Sequence, residues 1–126
     1  LNPPTKFATA RFGNVIETRG NVFEIWNEEK KGNKQLSITD PEMKRYFFHI
    51  EDATEFILNC LPKINNGEIF IPKMKLEKIG KLADSISKKQ KIIGIRKGEK
   101  IQEELMTKAE RKKAIETKEM WVIKQE

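Results

Sequence analysis

Ala53, Phe56, Ile57, Cys60 and Leu61 recur at i, i+3, i+4, i+7 and i+8, the repeat of one helical face. Asp52 and Glu55 form a capping-box-like start for that helix, and Pro62 stops it. Asn65-Asn66-Gly67 then turns the chain into Glu68-Ile-Phe-Ile71-Pro72, whose branched and aromatic side chains suit a strand. A helix with one apolar face must lay it on something, and a strand arriving just after a tight turn supplies a sheet. The fold is thereby confined to helices packed on strands.

The same alternation runs through the rest of the chain. Asn2-Pro3-Pro4 predicts an extended lead-in, and Lys6 to Ile16 a strand carrying Phe7, Phe12, Val15 and Ile16. It runs through Gly13-Asn14 into the polar loop Thr18-Arg19-Gly20-Asn21, a candidate ligand edge. Val22, Phe23 and Trp26 predict a helix capped by Asn21 and ended by Gly32, with both aromatic rings in the core. Leu36 to Thr39 reads as a short strand, Asp40-Pro41 as a turn, and Met43 to Ile50 as an extended aromatic-rich run. Leu76, Ile79, Ala83 and Ile86 mark one face of a further helix. Ile92, Ile93 and Ile95 read as a buried strand. Thr107 and Glu110 make a second capping box, for a Lys-rich helix ending near Glu116, and Met120 to Ile123 reads as a terminal strand. Strands alternating with helices predict an α/β fold with some parallel pairing.

At 126 residues the chain is expected to form one domain. No apolar run approaches the roughly 18 residues of a membrane span, so a cytoplasmic protein is expected, with no membrane contact through this chain. The chain opens with Leu1 and reads as an excised or processed piece. Cys60, the only cysteine, excludes an internal disulfide and belongs to the core as a small hydrophobe. His49, the only histidine, has no second His to build a zinc site and is expected to make a structural hydrogen bond. The net charge of +6 arises from interleaved signs. Its densest basic clusters, Lys88-Lys89-Gln90-Lys91 and Arg111-Lys112-Lys113, lack aromatic neighbours for base stacking and read as solvated faces rather than a nucleic-acid site. Arg is more telling: only five of the 25 basic residues are Arg, at 11, 19, 45, 96 and 111. In a Lys-rich chain an Arg marks a place that needs its rigid fork.

The chemistry concentrates at Arg96-Lys97-Gly98-Glu99, just past the isoleucine run. Gly98 lets the backbone turn, so a guanidinium and a carboxylate stand together beyond a strand end, where open α/β sheets hold ligands. Arg suits phosphate, and the carboxylate can accept from ribose hydroxyls. The alternative for this segment alone is a surface ion pair in a turn. A reaction centre is missing. There is no Gly-x-Gly-x-x-Gly and no phosphate loop of Walker type. Tyr46, the only tyrosine, has Ile50 four residues on where a Tyr-x-x-x-Lys pair needs Lys.

Arg11-Phe-Gly-Asn14-Val, Thr18-Arg19-Gly20, Ile38-Thr-Asp40, Met43-Lys-Arg45-Tyr-Phe, Gly67-Glu-Ile-Phe-Ile-Pro-Lys73 and Gly94-Ile-Arg-Lys-Gly-Glu-Lys100 occur in that order. Together they resemble the C-terminal part of the inverting UDP-N-acetylglucosamine 4,6-dehydratases. Those are CapD-like polysaccharide-biosynthesis proteins of the extended short-chain dehydrogenase/reductase superfamily. The resemblance covers nearly the whole chain. It implies a substrate-binding portion lacking the N-terminal Rossmann half that carries NADP and the catalytic Tyr and Lys. No cofactor is then expected in this chain, and its expected partners are a UDP-sugar, the missing half and, through an exposed sheet edge, other copies of itself.

Carried over by motif, the resemblance implies that Asn14 touches the diphosphate or the sugar, that Arg19 lies on the sugar-side loop, and that Arg45 and Arg96 hold the diphosphate. It likewise implies that Glu99 accepts from the ribose and that Leu36 to Thr39 border the uracil. The parent reaction it implies is oxidation at C4 by NADP, loss of water across C5 and C6, and hydride return to C6. The chain departs from the family pattern at Glu17-Thr18, where Gly-Ser is usual, and at Asn21, where Ser is usual. Lys97 stands for Pro and Gln102 for His in the last motif. From another class, the alternative is a basic α/β module that binds a protein or nucleic-acid partner.

Overall fold

The computed structural model describes residues 4–125, so Asn2 and Pro3 of the expected lead-in lie outside the described residues. In chain order the first elements are β1 (Thr9–Ala10), β2 (Asn14–Ile16), α1 (Val22–Lys31), β3 (Leu36–Ile38), β4 (Lys44–His49) and α2 (Ile50–Cys60). After a 3-10 turn at Leu61–Lys63 come β5 (Ile69–Pro72), β6 (Lys75–Lys78), α3 (Ile79–Ile86) and β7 (Gln90–Ile92). The chain ends with α4 (Lys108–Lys113), β8 (Ile115–Glu116) and β9 (Met120–Ile123). Contacts divide these into two compact units.

The first unit comprises Leu1–Phe12, Glu51–Lys73 and Glu104–Glu126. Its sheet has the order β1-β5-β9-β8, with β1 parallel to β5 and the other pairs antiparallel. Ile71, Met106 and Ile123 form its buried cluster. On α2, Ala53, Phe56 and Cys60 are buried, and Phe56 meets the edge of Phe12 at 5.9 Å between ring centroids. Glu68 is buried and accepts from the backbone N–H groups of Asn65 and Asn66, which fixes the turn into β5 and holds its carboxyl below the usual range.

The second unit comprises Gly13–Ile50 and Met74–Glu103. It holds a three-stranded sheet, β2-β4-β6, and the parallel pair β3-β7. Trp26, Leu36, Ile38, Met43, Phe47, Ile79 and Ala83 form its core, with Phe23 packed against it. Trp26 is fully buried, and its Nε1–H donates to the Ser37 carbonyl at 2.9 Å.

The α/β character and the parallel pairing are as the sequence predicts. Asn21 caps α1 by accepting from Phe23 N–H, and Gly32 ends it. Thr107 and Glu110 make the full capping box of α4.

Several expectations are corrected. The strand expected over Lys6 to Ile16 breaks, and its two halves join different sheets. Arg11 reaches Glu110, Phe12 turns to Phe56, and Gly13 passes so close to Tyr46 that a Cβ there would sit 2.7 Å from the tyrosine Cβ. The α2 helix starts at Ile50, which places Asp52 in the first turn rather than at the cap, and Ile57 and Leu61 of its expected buried face are exposed. Leu76 lies on β6, paired with Tyr46, because a strand and not a helical turn precedes Ile79. Ile92, Ile93 and Ile95 are exposed, since among the described residues β7 pairs with β3 alone and its ladder ends once Ile93 N–H has reached the Ile38 carbonyl. The α4 helix stops at Lys113, and Ile115–Glu116 pairs with β9 instead. His49 Nδ1 stands 3.8 Å from a Glu17 carboxylate oxygen, beyond hydrogen-bond range, with both side chains exposed.

Candidate functional site

Every residue expected to touch ligand falls in the second unit, in two sets. The first is built where β2 ends. Asn14 lies on β2 opposite Phe47 of β4, and its Nδ2 donates to the Tyr46 carbonyl at 3.2 Å. The loop beyond is held by its own polar groups. Thr18 Oγ1 and Asn21 Nδ2 both donate to the Val15 carbonyl, and Gly20 N–H donates to Glu24. Asn14 and the exposed Arg19 line one open cleft of about 540 Å³ with Gly13, Val15, Thr18 and Gly20.

The second set is built on β4 and the segment after β7. Gly98 adopts φ +89°, a left-handed turn conformation that favours glycine, and Glu99 N–H closes the turn on the Arg96 carbonyl. Arg96 is 84% exposed and stands 4.0 Å from Glu99, so the two groups are presented together. The turn is tied to β4 by Lys44 N–H on the Ile101 carbonyl at 2.8 Å. Arg45, only 12% exposed, adds more: Nη2 donates to the Lys100 carbonyl at 2.7 Å, and Nη1 donates to the Lys44 and Ile101 carbonyls. Its Nε faces Glu103 at 3.7 Å. Arg45 thus ties together the stretch that carries Arg96 and Glu99. The residues lining the Asn14–Arg19 cleft do not include Arg96 or Glu99.

Leu36 and Ile38, expected near the uracil, point into the core, and Ser37 is held by Glu29, which accepts from its N–H and its hydroxyl. Thr39 is the half-exposed residue left at that strand end. Sequence reasoning gave no role to Glu103, Glu29 or the 100–101 carbonyls. Glu103 lies just past the Gly94–Lys100 motif, and its partner Arg45 is far away in the chain. Among the described residues no group of three or more His, Cys, Asp or Glu is gathered to hold a metal ion. Among them, too, no helix is long and apolar enough to cross a membrane.

The family model described as polysaccharide biosynthesis protein matches residues 2–125. The chain belongs to that family. Its similarity to an inverting UDP-N-acetylglucosamine 4,6-dehydratase of Campylobacter jejuni subsp. jejuni serotype O:23/36 (strain 81-176) is 41% identity over 105 residues, covering 81% of the chain and 31% of that relative. A UDP-glucose 4-epimerase of Rickettsia bellii (strain OSU 85-389) is 35% identical over 116 residues, covering 87% of the chain and 34% of the relative. The solved structure of Pen from Bacillus thuringiensis superposes with a TM-score of 0.87 at 31% identity, covering 94% of the chain and 40% of that protein. The resemblance carried by the motifs is borne out. The chain spans 31%, 34% and 40% of the lengths of these three proteins.

Proposed function

We propose that this chain is the nucleotide-sugar-binding portion of a UDP-N-acetylglucosamine 4,6-dehydratase-like protein. The observation that carries the reading is the Arg96–Glu99 turn, which presents a guanidinium and a carboxylate side by side and is anchored on β4 through Arg45. In this reading Arg96 and one edge of Arg45 hold the diphosphate, Glu99 accepts from the ribose, and Asn14 and Arg19 face the sugar. NADP supplies the hydride chemistry in the whole enzyme. The Gly-x-Gly-x-x-Gly and Tyr-x-x-x-Lys motifs that serve it are not in this chain, so the 126-residue chain alone does not dehydrate UDP-N-acetylglucosamine. Turnover by that purified chain overturns this part of the reading.

The partner in this reading is a preceding Rossmann half. Two observations support it within the first unit. Among the described residues β1 pairs only with β5, which leaves its other edge open, and Phe7, Ile57, Leu58 and Leu61 are exposed.

The test is UDP-sugar affinity in the full-length protein as its gene encodes it. Charge-assisted hydrogen bonds are each worth roughly 1.5–3 kcal/mol, and about 1.4 kcal/mol is one decade of affinity. Arg96→Ala is therefore expected to weaken binding at least about tenfold. Arg96→Lys recovers part of the loss, because it keeps the charge without the fork. Arg111→Ala, on α4, leaves affinity unchanged. Equal affinity of the Arg96→Ala and Arg111→Ala variants, or a melting temperature raised by duplex DNA and not by UDP, sinks the proposal.

A further inference from the structure

Resting on that reading, we infer that Glu103 holds the place of a phosphate on Arg45, and that UDP binds by exchanging its own phosphate for this carboxylate. A guanidinium has five N–H donors. In Arg45, Nη1 donates to the Lys44 carbonyl at 2.8 Å and the Ile101 carbonyl at 3.1 Å, and Nη2 donates to the Lys100 carbonyl at 2.7 Å. Two N–H groups remain, one on Nε and one on Nη2, the pair that forms the side-on fork for a carboxylate or phosphate. Glu103 Oε1 stands 3.7 Å from Nε, inside ion-pair range and beyond a normal hydrogen bond.

Burial and exposure make this contact exchangeable from one side only. Arg45 is 12% exposed and fixed by three carbonyls, so its open edge stays in place and is met there by water or by an anion. Glu103 is 55% exposed, and its carboxylate regains water when it leaves. A phosphate brings more charge and a better fit to the fork than a carboxylate held at ion-pair distance. The ligand class is therefore a phosphate-bearing nucleotide. A neutral nucleoside gains nothing from the exchange.

The experiment titrates UDP and uridine into the full-length protein, wild type and variants, by calorimetry. Glu103→Gln is expected to tighten UDP binding about two- to fivefold, the range of an exposed ion pair, and to leave uridine unchanged. Glu104→Gln, which changes net charge equally beside it, is expected to do neither. The gain is expected to vanish in an Arg45→Lys background, where no side-on fork exists to be blocked. The Arg45 Nε–H resonance, read in the wild type, is expected to shift on adding UDP and on the Glu103→Gln change. Unchanged or weaker UDP binding by Glu103→Gln overturns the inference. So does a gain that persists with Arg45→Lys, which makes Glu103 a nearby charge and nothing more. A wild-type protein that binds no UDP overturns the functional reading itself, a result distinct from either.

Discussion

Arg11 and Glu110 show how one pair can serve two elements. Both guanidinium ends of Arg11 donate to the carboxylate at 3.0 Å, and Nη1 also donates to the Leu105 carbonyl at 2.8 Å. The same carboxylate accepts from Thr107 N–H as part of the α4 capping box. These contacts, the Arg11 hydrogen bond first, lower the Glu110 carboxyl from 4.5 to about 2. A depressed carboxyl stabilises the fold fully above its unfolded value and loses that contribution as pH falls through its folded value. Glu110→Gln is therefore expected to lower the melting temperature at neutral pH, with the deficit shrinking between pH 4.5 and about 2. Melts followed by circular dichroism across that window check it, and a pH-independent deficit refutes the pairing. The sequence showed Arg11 only as a motif residue, because its partner lies 99 positions away. Arg45 was hidden for the same reason. Its expected role on a diphosphate was drawn from resemblance, while its grip on carbonyls 55 and 56 residues distant could not be read from spacing.

Among the elements, the best-read features are those decided locally. Asn21 and Thr107 act on N–H groups two and three residues ahead, so composition alone reveals them. Asn21→Ala is expected to cost about 1 kcal/mol, because α1 loses its cap. Denaturant unfolding measures that cost, and the Asn21 bond to the Val15 carbonyl adds to it. Features decided by neighbours were misread. The isoleucines after β7 have the composition of a buried strand, yet burial depends on a covering layer that no local pattern encodes. Leu76 sits three residues before Ile79, a spacing that a helix and a strand-then-helix junction both allow. The break after Ala10 is signalled only by Gly13, whose close approach to Tyr46 involves residues 33 positions apart.

At the scale of the molecule, the open edge of β1 has a measurable result. Thr9 and Arg11 donate inward to the Glu68 and Phe70 carbonyls, so the alternation of strand hydrogen bonds turns Ala10 N–H outward. Ala10→Pro removes that outward donor and spares the ladder to β5. The 126-residue chain alone is expected to self-associate as concentration rises, and Ala10→Pro to reduce this, as sedimentation velocity can show. Equal association of the two proteins places the contact elsewhere. The two units are also interleaved along the chain, and that has a kinetic meaning. The second unit is complete in sequence once Glu103 has been made, whereas the first waits for β9, the inner strand of its sheet, within the last seven residues. During synthesis the second unit can therefore reach its final form while β5 of the first remains without β9. A released chain truncated after Glu103 is expected to protect amides of β4 against exchange and to leave open those of β5 that pair with β9.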